Sequence, residues 1–344
     1  MLVVYHTNII MKVLFVAPNK SSFITQDYEN LKTSFNTHLF ICWTPSQILK
    51  TLNAVFEHDI CFFWFASLRF LPVFALAKIL KKKTIIVAGG YDVSSMPEVK
   101  YGGIKPKSFS SFLRKKFLQK SDKIITVSKS NSREAIENAS IPDWKISKIY
   151  LGFEKPNIIL KPFNERKNQV VFIASCNEST YKLKGFDTFL NIARLMPEIS
   201  FVHVGVISHS HFKQQLKSLQ NVTSTGYLEN MGIKFSNILN ESKIILLPSL
   251  KESFGASLIE GCLHGCRPVG SNSYALPEII GEMGVLCEIG NINDFQRGIN
   301  SIIANSFNPE TIQRYYYKRF SKHIRRSALK TILHELYQKS VFHQ

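Results

Sequence analysis

Acidic residues are scarce in this chain of 344 residues: 25 Asp and Glu stand against 43 Lys and Arg, a formal net charge of +18. That balance favours anionic partners (nucleotide phosphates, acidic membrane surfaces or nucleic acid) without choosing among them. Cysteine is sparse and lacks a metal-binding pattern. Cys42, Cys61, Cys176, Cys262, Cys266 and Cys287 lie mostly within apolar runs. Cys262 and Cys266 have no second ligand pair at zinc spacing, so no metal site is read here. Free buried thiols fit a reducing compartment, hence a cytoplasmic location. The chain also lacks an uninterrupted apolar run of spanning length. Its most apolar window, Ile60 to Leu80, is broken by Arg69, Pro72 and Lys78, and a central Arg is costly in lipid. The window reads as a buried strand (60–65) followed by a core helix (68–80). The opening MLVVYHTNII lacks the charged start and small-residue cleavage site of a secretory signal. Met11 to Val16 reads as the opening strand, and residues 1–10 as an upstream start-site extension. Repeats and low-complexity tracts are absent. No basic, base-stacking module of known spacing is present, so nucleic acid is not an expected partner.

What the chain does have is alternation. In the first half, β runs at 12–17, 38–43, 60–65, 84–88, 123–127 and 146–151 are interleaved with helical patterns at 28–34, 46–56 and 68–80, and another opens at Ser128 or Ser130. Glu154-Lys155-Pro156 reads as a linker. Beyond it, β runs at 169–174, 201–206, 222–225 and 244–247 are followed by helical patterns at 231–239, 294–303 and 309–320. A long amphipathic pattern from Ile324 to Tyr337 closes the chain. Strand and helix in this order build doubly wound parallel sheets, and the length allows two such domains.

The chain is organised around Ile244 to Glu260, IILLPSLKESFGASLIE. Four consecutive apolar residues, Ile244 to Leu247, suit a strand buried on both faces. Pro248 and Ser249 stop it, and a helical pattern starts near Gly255. Ser253, Phe254 and Gly255 sit at the helix mouth, where unpaired N–H groups and the helix dipole favour an anion. Glu252 and Glu260 bracket the turn. The local chemistry is a phosphate at a helix start, beyond the C-terminal end of a strand, with two carboxylates nearby. Two glutamates on a solvated face of an unrelated turn remain the alternative.

The segment PSLKESFGASLIEGCLHGCRPVGSNSYALPEII resembles the donor-binding segment of family 4 glycosyltransferases, which have the GT-B fold. Pro248-Ser249, Glu252, Phe254-Gly255, Glu260, Gly265, Pro268-Val269 and Pro277-Glu278 carry the resemblance. Tyr181 to Asp187 is similar to the family's Lys-Gly-x-Asp motif, with Lys184 at the Lys. The resemblance implies two Rossmann-like domains facing a cleft. Residues 1–153 would bind the acceptor and 154–310 the nucleotide-sugar, with residues 311–344 packing back on the first domain. It implies a retaining hexosyltransferase that works without metal or other cofactor. The donor would be a UDP-, GDP- or ADP-sugar, and the acceptor a polysaccharide, glycan or lipid-linked saccharide of cell-surface glycan biosynthesis. Glu252 and Lys184 take the catalytic roles. The Lys184 ammonium and the helix-mouth residues Ser253, Phe254, Gly255, Ala256 and Ser257 hold the diphosphate, with Lys182 as a second cation. Glu260 takes the ribose, and Gly226 and Tyr227 flank the base.

The first half departs from the family pattern. The usual Gly-Gly pair after the first strand is replaced by PNKSSFITQD, leaving Ser22 as a candidate acceptor or sugar contact. Where many members carry His-Gly-x-Asp, this chain has Gly89-Gly90-Tyr91-Asp92, so Gly89 stands at the family His. Gly90 and Asp92 remain as sugar-contact candidates, with Asp92 equally readable as a turn cap. Residues 105–120, KPKSFSSFLRKKFLQK, set Phe109, Phe112, Leu113 and Phe117 at helical spacing among Lys105, Lys107, Arg114, Lys115, Lys116 and Lys120. Such a helix suits an anionic membrane, as in some family members, giving a peripheral location; packing of its Phe face on its own sheet is the other reading. The departures also motivate a second function: a GT-B-fold binding or regulatory partner without turnover.

Overall fold

The computed structural model describes residues 11–341; the reading of residues 1–10 as an extension lies outside them. The first domain alternates β1 (Lys12–Ala17), α1 (Ser22–Lys32), β2 (Asn36–Ile41), α2 (Pro45–Glu57), β3 (Ile60–Trp64), α3 (Leu71–Ile79), β4 (Lys83–Ala88), α4 (Phe109–Lys120), β5 (Lys123–Thr126), α5 (Lys129–Ala139) and β6 (Ile146–Lys148). Its six strands form a parallel sheet in the order β2-β1-β3-β4-β5-β6. Side chains alternate across each strand, and this divides the core. Leu14, Val16, Cys61 and Phe63 pack under α2 to α5. Val13, Phe15, Phe62 and Ile85 face the other way, towards Ile24 and Leu31 of α1.

The second domain contains β7 (Lys167–Ile173), α6 (Phe186–Leu195), β8 (Ser200–Val204), α7 (Ser210–Lys217), β9 (Val222–Ser224), α8 (Ile233–Glu241), β10 (Ser242–Leu247), α9 (Ala256–Leu263), β11 (Arg267–Ser271), α10 (Leu276–Ile280), β12 (Val285–Cys287), α11 (Ile292–Ala304) and α12 (Pro309–Phe320), before the closing helix α13 (Lys322–Val341). Its parallel sheet runs β12-β11-β10-β7-β8-β9. The direction of winding reverses between β7 and β10, where such sheets open a crevice at their strand C-terminal ends.

Several elements differ from the sequence reading. Helix α1 starts at Ser22, six residues before the predicted pattern at Tyr28. Helix α7 has no predicted counterpart because Phe212 and Leu216 are its only buried side chains. Strand β11, RPVGS, has no apolar run and contains a proline, which argues against an interior strand. Pro268 is accommodated because β12 pairs only from Val269 onward, leaving β10 as the neighbour at Pro268. The Ile60–Leu80 window is β3, a short 3-10 turn and α3; among the described residues no helix is long and apolar enough to cross a membrane. Helix α4 divides its aromatics: Phe117 is buried on the sheet, whereas Phe109 and Phe112 are 75% and 53% exposed. Arg114 is not part of a solvated face, since it turns inward onto the carbonyls of Gly103 and Ala66.

The chain crosses between the domains twice, side by side. Phe153 donates its N–H to Phe320 O (2.8 Å) and accepts from Lys322 N (2.8 Å). Helix α13 then lies back on the first domain, as the resemblance implies, with Leu329 and Leu333 in the shared core. Its Arg325 makes a two-pronged ion pair with Asp27 of α1 and donates to the carbonyls of Ile149 and Tyr150. Trp64 Nε1 donates to the same carboxylate at 2.9 Å. Asp27 and Arg325 are 1% and 2% exposed, so removing one partner strands a buried charge. Arg325→Met is therefore expected to cost about 3–5 kcal/mol in a denaturant titration. The double variant Asp27→Leu/Arg325→Met, which leaves no stranded charge, should recover part of that loss.

Candidate functional site

The strands on either side of the second domain's switch point bring two loops together. The loop after β7 carries Lys184 and the loop after β10 carries Glu252. Gly185 makes their contact possible: at φ +71, a Cβ there would lie 2.0 Å from Pro248 O. Leu250 N donates to Leu183 O at 2.9 Å, tying one loop to the other. As a result, Lys184 Nζ stands 2.7 Å from Glu252 Oε1. Ser249 Oγ donates to the same oxygen at 2.9 Å, and Glu252 is only 8% exposed. Helix α9 opens immediately beyond, with Gly255 as a left-handed N-cap. The first-turn N–H groups of Ala256 and Ser257 have no carbonyl within the helix to reach.

These groups face the first domain across a cavity of about 500 Å³. Phe23, Phe65, Gly89 and Tyr101 line its far wall, with Ser22 at the edge. Glu260, on α9, lines this cavity and a neighbouring one of about 340 Å³ that extends between α1 and α9. Asn230 Nδ2 donates to Glu260 Oε1 at 2.8 Å. Thus a cation, a carboxylate and a helix N-terminus converge at one end of an interdomain cleft, an arrangement able to hold a phosphorylated ligand. Among the described residues, no group of three or more His, Cys, Asp or Glu side chains could hold a metal ion.

Ser253, Phe254 and Ser257 also line the cavity, whereas other predicted residues do not. Lys182 is exposed and does not line the cavity. The cation that does so beside Lys184 is Lys251, which is buried against Glu134 of α5. Tyr227 is 73% exposed; it and Gly226 lie outside the cavity, which Asn230 lines from the same loop. The Phe254 ring is 3% exposed and packs among Tyr150, Phe153 and Phe320 at the domain crossing, so it anchors the turn to the hinge. Asp92 clamps two backbone segments; it is 3% exposed and does not line the cavity. Its two oxygens accept N–H groups from Ala66 (3.0 Å) and Gly89 (3.1 Å). Burial raises its carboxyl to about 6 against the pull of those bonds. Gly90 presses on Ser253 of the opposite domain.

Two ionic contacts across the cleft were not foreseen as site features. Burial works against both charges of the Lys251–Glu134 pair. Glu278, on α10, accepts from Lys129 N (2.7 Å) at the start of α5, from Lys148 Nζ (2.9 Å) and from Tyr150 OH (2.5 Å). Burial alone would raise the Glu278 carboxyl, but these three donors outweigh it and hold it below its usual range. The sequence signal for Glu278 was its place in the Pro277-Glu278 pair. For Lys251 the only signal was adjacency to Glu252.

Residues 167–305 match the family described as Glycosyl transferases group 1. An uncharacterized 41.2 kDa protein in the cps region of Klebsiella pneumoniae is 26% identical over 229 residues, covering 63% of this chain and 61% of that protein. The 2-deoxystreptamine N-acetyl-D-glucosaminyltransferase of Niallia circulans is 26% identical over 140 residues, covering 38% and 36%. The matched region therefore spans less than two thirds of either relative. Among solved structures, Anabaena HepE in complex with UDP and glucose superposes with a TM-score of 0.75 at 13% identity, covering 94% of this chain and 99% of that one. The fold is that of the GT-B glycosyltransferases.

Glu260 provides a pH test of the site. It is half-buried, and burial pushes its carboxyl from 4.5 up to about 7. The folded protein keeps this proton where the unfolded chain has released it. The resulting stability is present below the unfolded value and is lost as pH rises through the folded one. Glu260→Gln should therefore match wild type near pH 4.5 and melt progressively higher than wild type towards pH 8. Thermal melts across that range check this, and a pH-independent difference would contradict it.

Proposed function

We propose that this chain, whose second domain is a Glycosyl transferases group 1 domain, is a retaining glycosyltransferase. It would move a hexosyl group from a nucleoside diphosphate sugar to a glycan or lipid-linked acceptor of cell-surface polysaccharide. The observation that carries this reading is the 2.7 Å pairing of Lys184 with Glu252 at the mouth of α9. Glycosyl transfer breaks the bond between the anomeric carbon and the diphosphate, so negative charge grows on the leaving oxygen and positive charge on the sugar ring. Lys184 and the N–H groups of Ala256 and Ser257 meet the first need. Glu252 orients the sugar beside the second, and Glu260 receives the ribose hydroxyls. The acceptor oxygen bonds to the anomeric carbon on the face that the diphosphate leaves, and its proton passes to the departing phosphate oxygen. The chemistry is assigned to these side chains and N–H groups without a metal. The named activity of the Niallia circulans relative supports sugar transfer, and the cps setting of the Klebsiella pneumoniae relative supports a surface polysaccharide.

A thermal-shift screen of UDP-, GDP- and ADP-sugars tests the donor, because a ligand that binds the folded state raises its melting temperature by mass action. With the responding donor, Lys184→Ala should lower kcat/KM by about 10²- to 10³-fold. Glu252→Gln should abolish most turnover while diphosphate binding persists. Release of nucleoside diphosphate and the anomeric configuration of the product are the readouts. Donor binding with no transfer or hydrolysis by wild type would instead make the chain a binding partner.

We further assign Phe109 and Phe112, whose rings stack at 6.4 Å, as a contact with anionic membrane, aided by Lys105, Lys107, Lys115, Lys116 and Lys120. Co-sedimentation with phosphatidylglycerol vesicles should fall for Phe109→Ser/Phe112→Ser and weaken with salt. Binding to neutral phosphatidylcholine vesicles should be weak throughout.

A further inference from the structure

One cavity-lining group has no part in the chemistry above. Phe65 directly follows β3 with a φ of 72°, a left-handed conformation that is an outlier for a bulky residue. Backbone strain of this kind persists only where the surroundings hold it. Here Phe65 N donates to Val87 O at 3.0 Å. The Asp92 carboxylate binds Ala66 N and Gly89 N, clamping the segment after β3 to the segment after β4. Gly89 leaves the space that the ring enters: a Cβ on residue 89 would lie 2.1 Å from Phe65 Cε1. Trp64 and Phe23 fix the tilt of the ring, with centroids at 5.2 and 6.4 Å. Phe65 is half-buried and lines the same cavity as Lys184 and Glu252. One residue beyond Gly89, a Cβ on Gly90 would lie 1.9 Å from Ser253 Oγ. The wall that Phe65 covers therefore adjoins the Glu252-Ser253 turn.

We propose that the Phe65 ring, whose edge fills the space left at Gly89, is the platform on which the C–H face of the donor hexose stacks, and so selects donors. This rests on the reading of the cleft as a nucleotide-sugar site. The face of an aromatic ring is electron-rich and apolar; it suits the polarised C–H groups of a pyranose. It offers no hydrogen-bonding atom, so a hydroxyl pressed against it would lose water without replacement. The platform thus favours a hexose whose stacked face is unbroken C–H.

Calorimetric titration tests this with UDP against UDP-glucose, GDP against GDP-mannose and ADP against ADP-glucose, on wild type, Phe65→Leu and Phe65→Tyr. Leu keeps apolar bulk without a ring, and Tyr keeps the ring. For the nucleotide that binds, Phe65→Leu should retain diphosphate affinity and lose roughly 2- to 12-fold in nucleotide-sugar affinity. Phe65→Tyr should keep both. The platform is overturned if Phe65→Leu binds the sugar conjugate as tightly as wild type. It is equally overturned if both affinities fall together, which marks a structural role. If none of the three diphosphates binds wild type, the reading of the cleft itself falls and the platform with it.

Discussion

Everything at the cleft depends on the contact between two loops that leave adjacent strands, β7 and β10. A parallel sheet delivers its strand ends side by side, but loops with ordinary side chains would hold each other apart. Gly185 removes that obstacle at Pro248, and a single backbone hydrogen bond, Leu250 N to Leu183 O, sets the separation. The Lys184–Glu252 pair follows from this approach. It holds the ammonium in place before any ligand arrives, which lowers the cost of ordering a long side chain on binding. Lys184 is partly open to solvent, so exchanging the carboxylate for another anion would cost it little. Glu252 is not abandoned in the exchange, because Ser249 still donates to the same oxygen.

The turn that carries Glu252 is coupled to the angle between the domains. Phe254 fixes one side of it to the crossing point, among Tyr150, Phe153 and Phe320. Lys251 fixes the other side to Glu134 of the first domain. Buried ion pairs are weak sources of net stability, since desolvation offsets their attraction. Their directional demands nevertheless set orientation. With Glu278 capping α5, the clasp joins the two domains from α9's loop and from α10. A change in domain angle must therefore move the carboxylate and the helix mouth together.

How far the sequence revealed this follows the range of each interaction. Ile244 to Leu247 and the turn to Gly255 were legible because run length, a proline stop and a glycine at a helix mouth are local signals. Lys184 was legible through its motif. Lys182 was assigned as the second cation because the family carries a further basic residue upstream of that motif Lys; it is exposed and does not line the cavity. The cation beside Lys184 comes from Lys251, whose partner Glu134 is 117 positions away. No spacing rule reaches that far. Phe254 was legible as a motif residue, but its ring meets residues from the segment after β6 and from α12, and a motif does not show which way a ring turns. Asp92 was left open between sugar ligand and turn cap. The two N–H groups it binds come from different loops, so only the folded chain shows the clamp and places the carboxylate outside the cavity lining. Strand β11 escaped because Pro268 masks an interior strand whose outer neighbour starts one residue late.

The same logic explains why the second domain was the more readable one. A diphosphate makes narrow demands: a cation, free N–H groups and a close backbone, which a short list of residues in a short segment can meet. A saccharide makes broad ones. Hydroxyls accept or donate to many partners, and C–H faces stack on any exposed ring, so one sugar can be held by unrelated walls. The first domain of this chain lines the cleft with the aromatic ring of Phe65, which comes from one loop and fills the space left by a glycine of the next. A substitution at position 89 thus cannot be interpreted alone, because its meaning lies in residue 65, 24 positions earlier. Restoring a large side chain at Gly89 would collide with Phe65 before it reached any ligand. The two positions have to be changed as a pair.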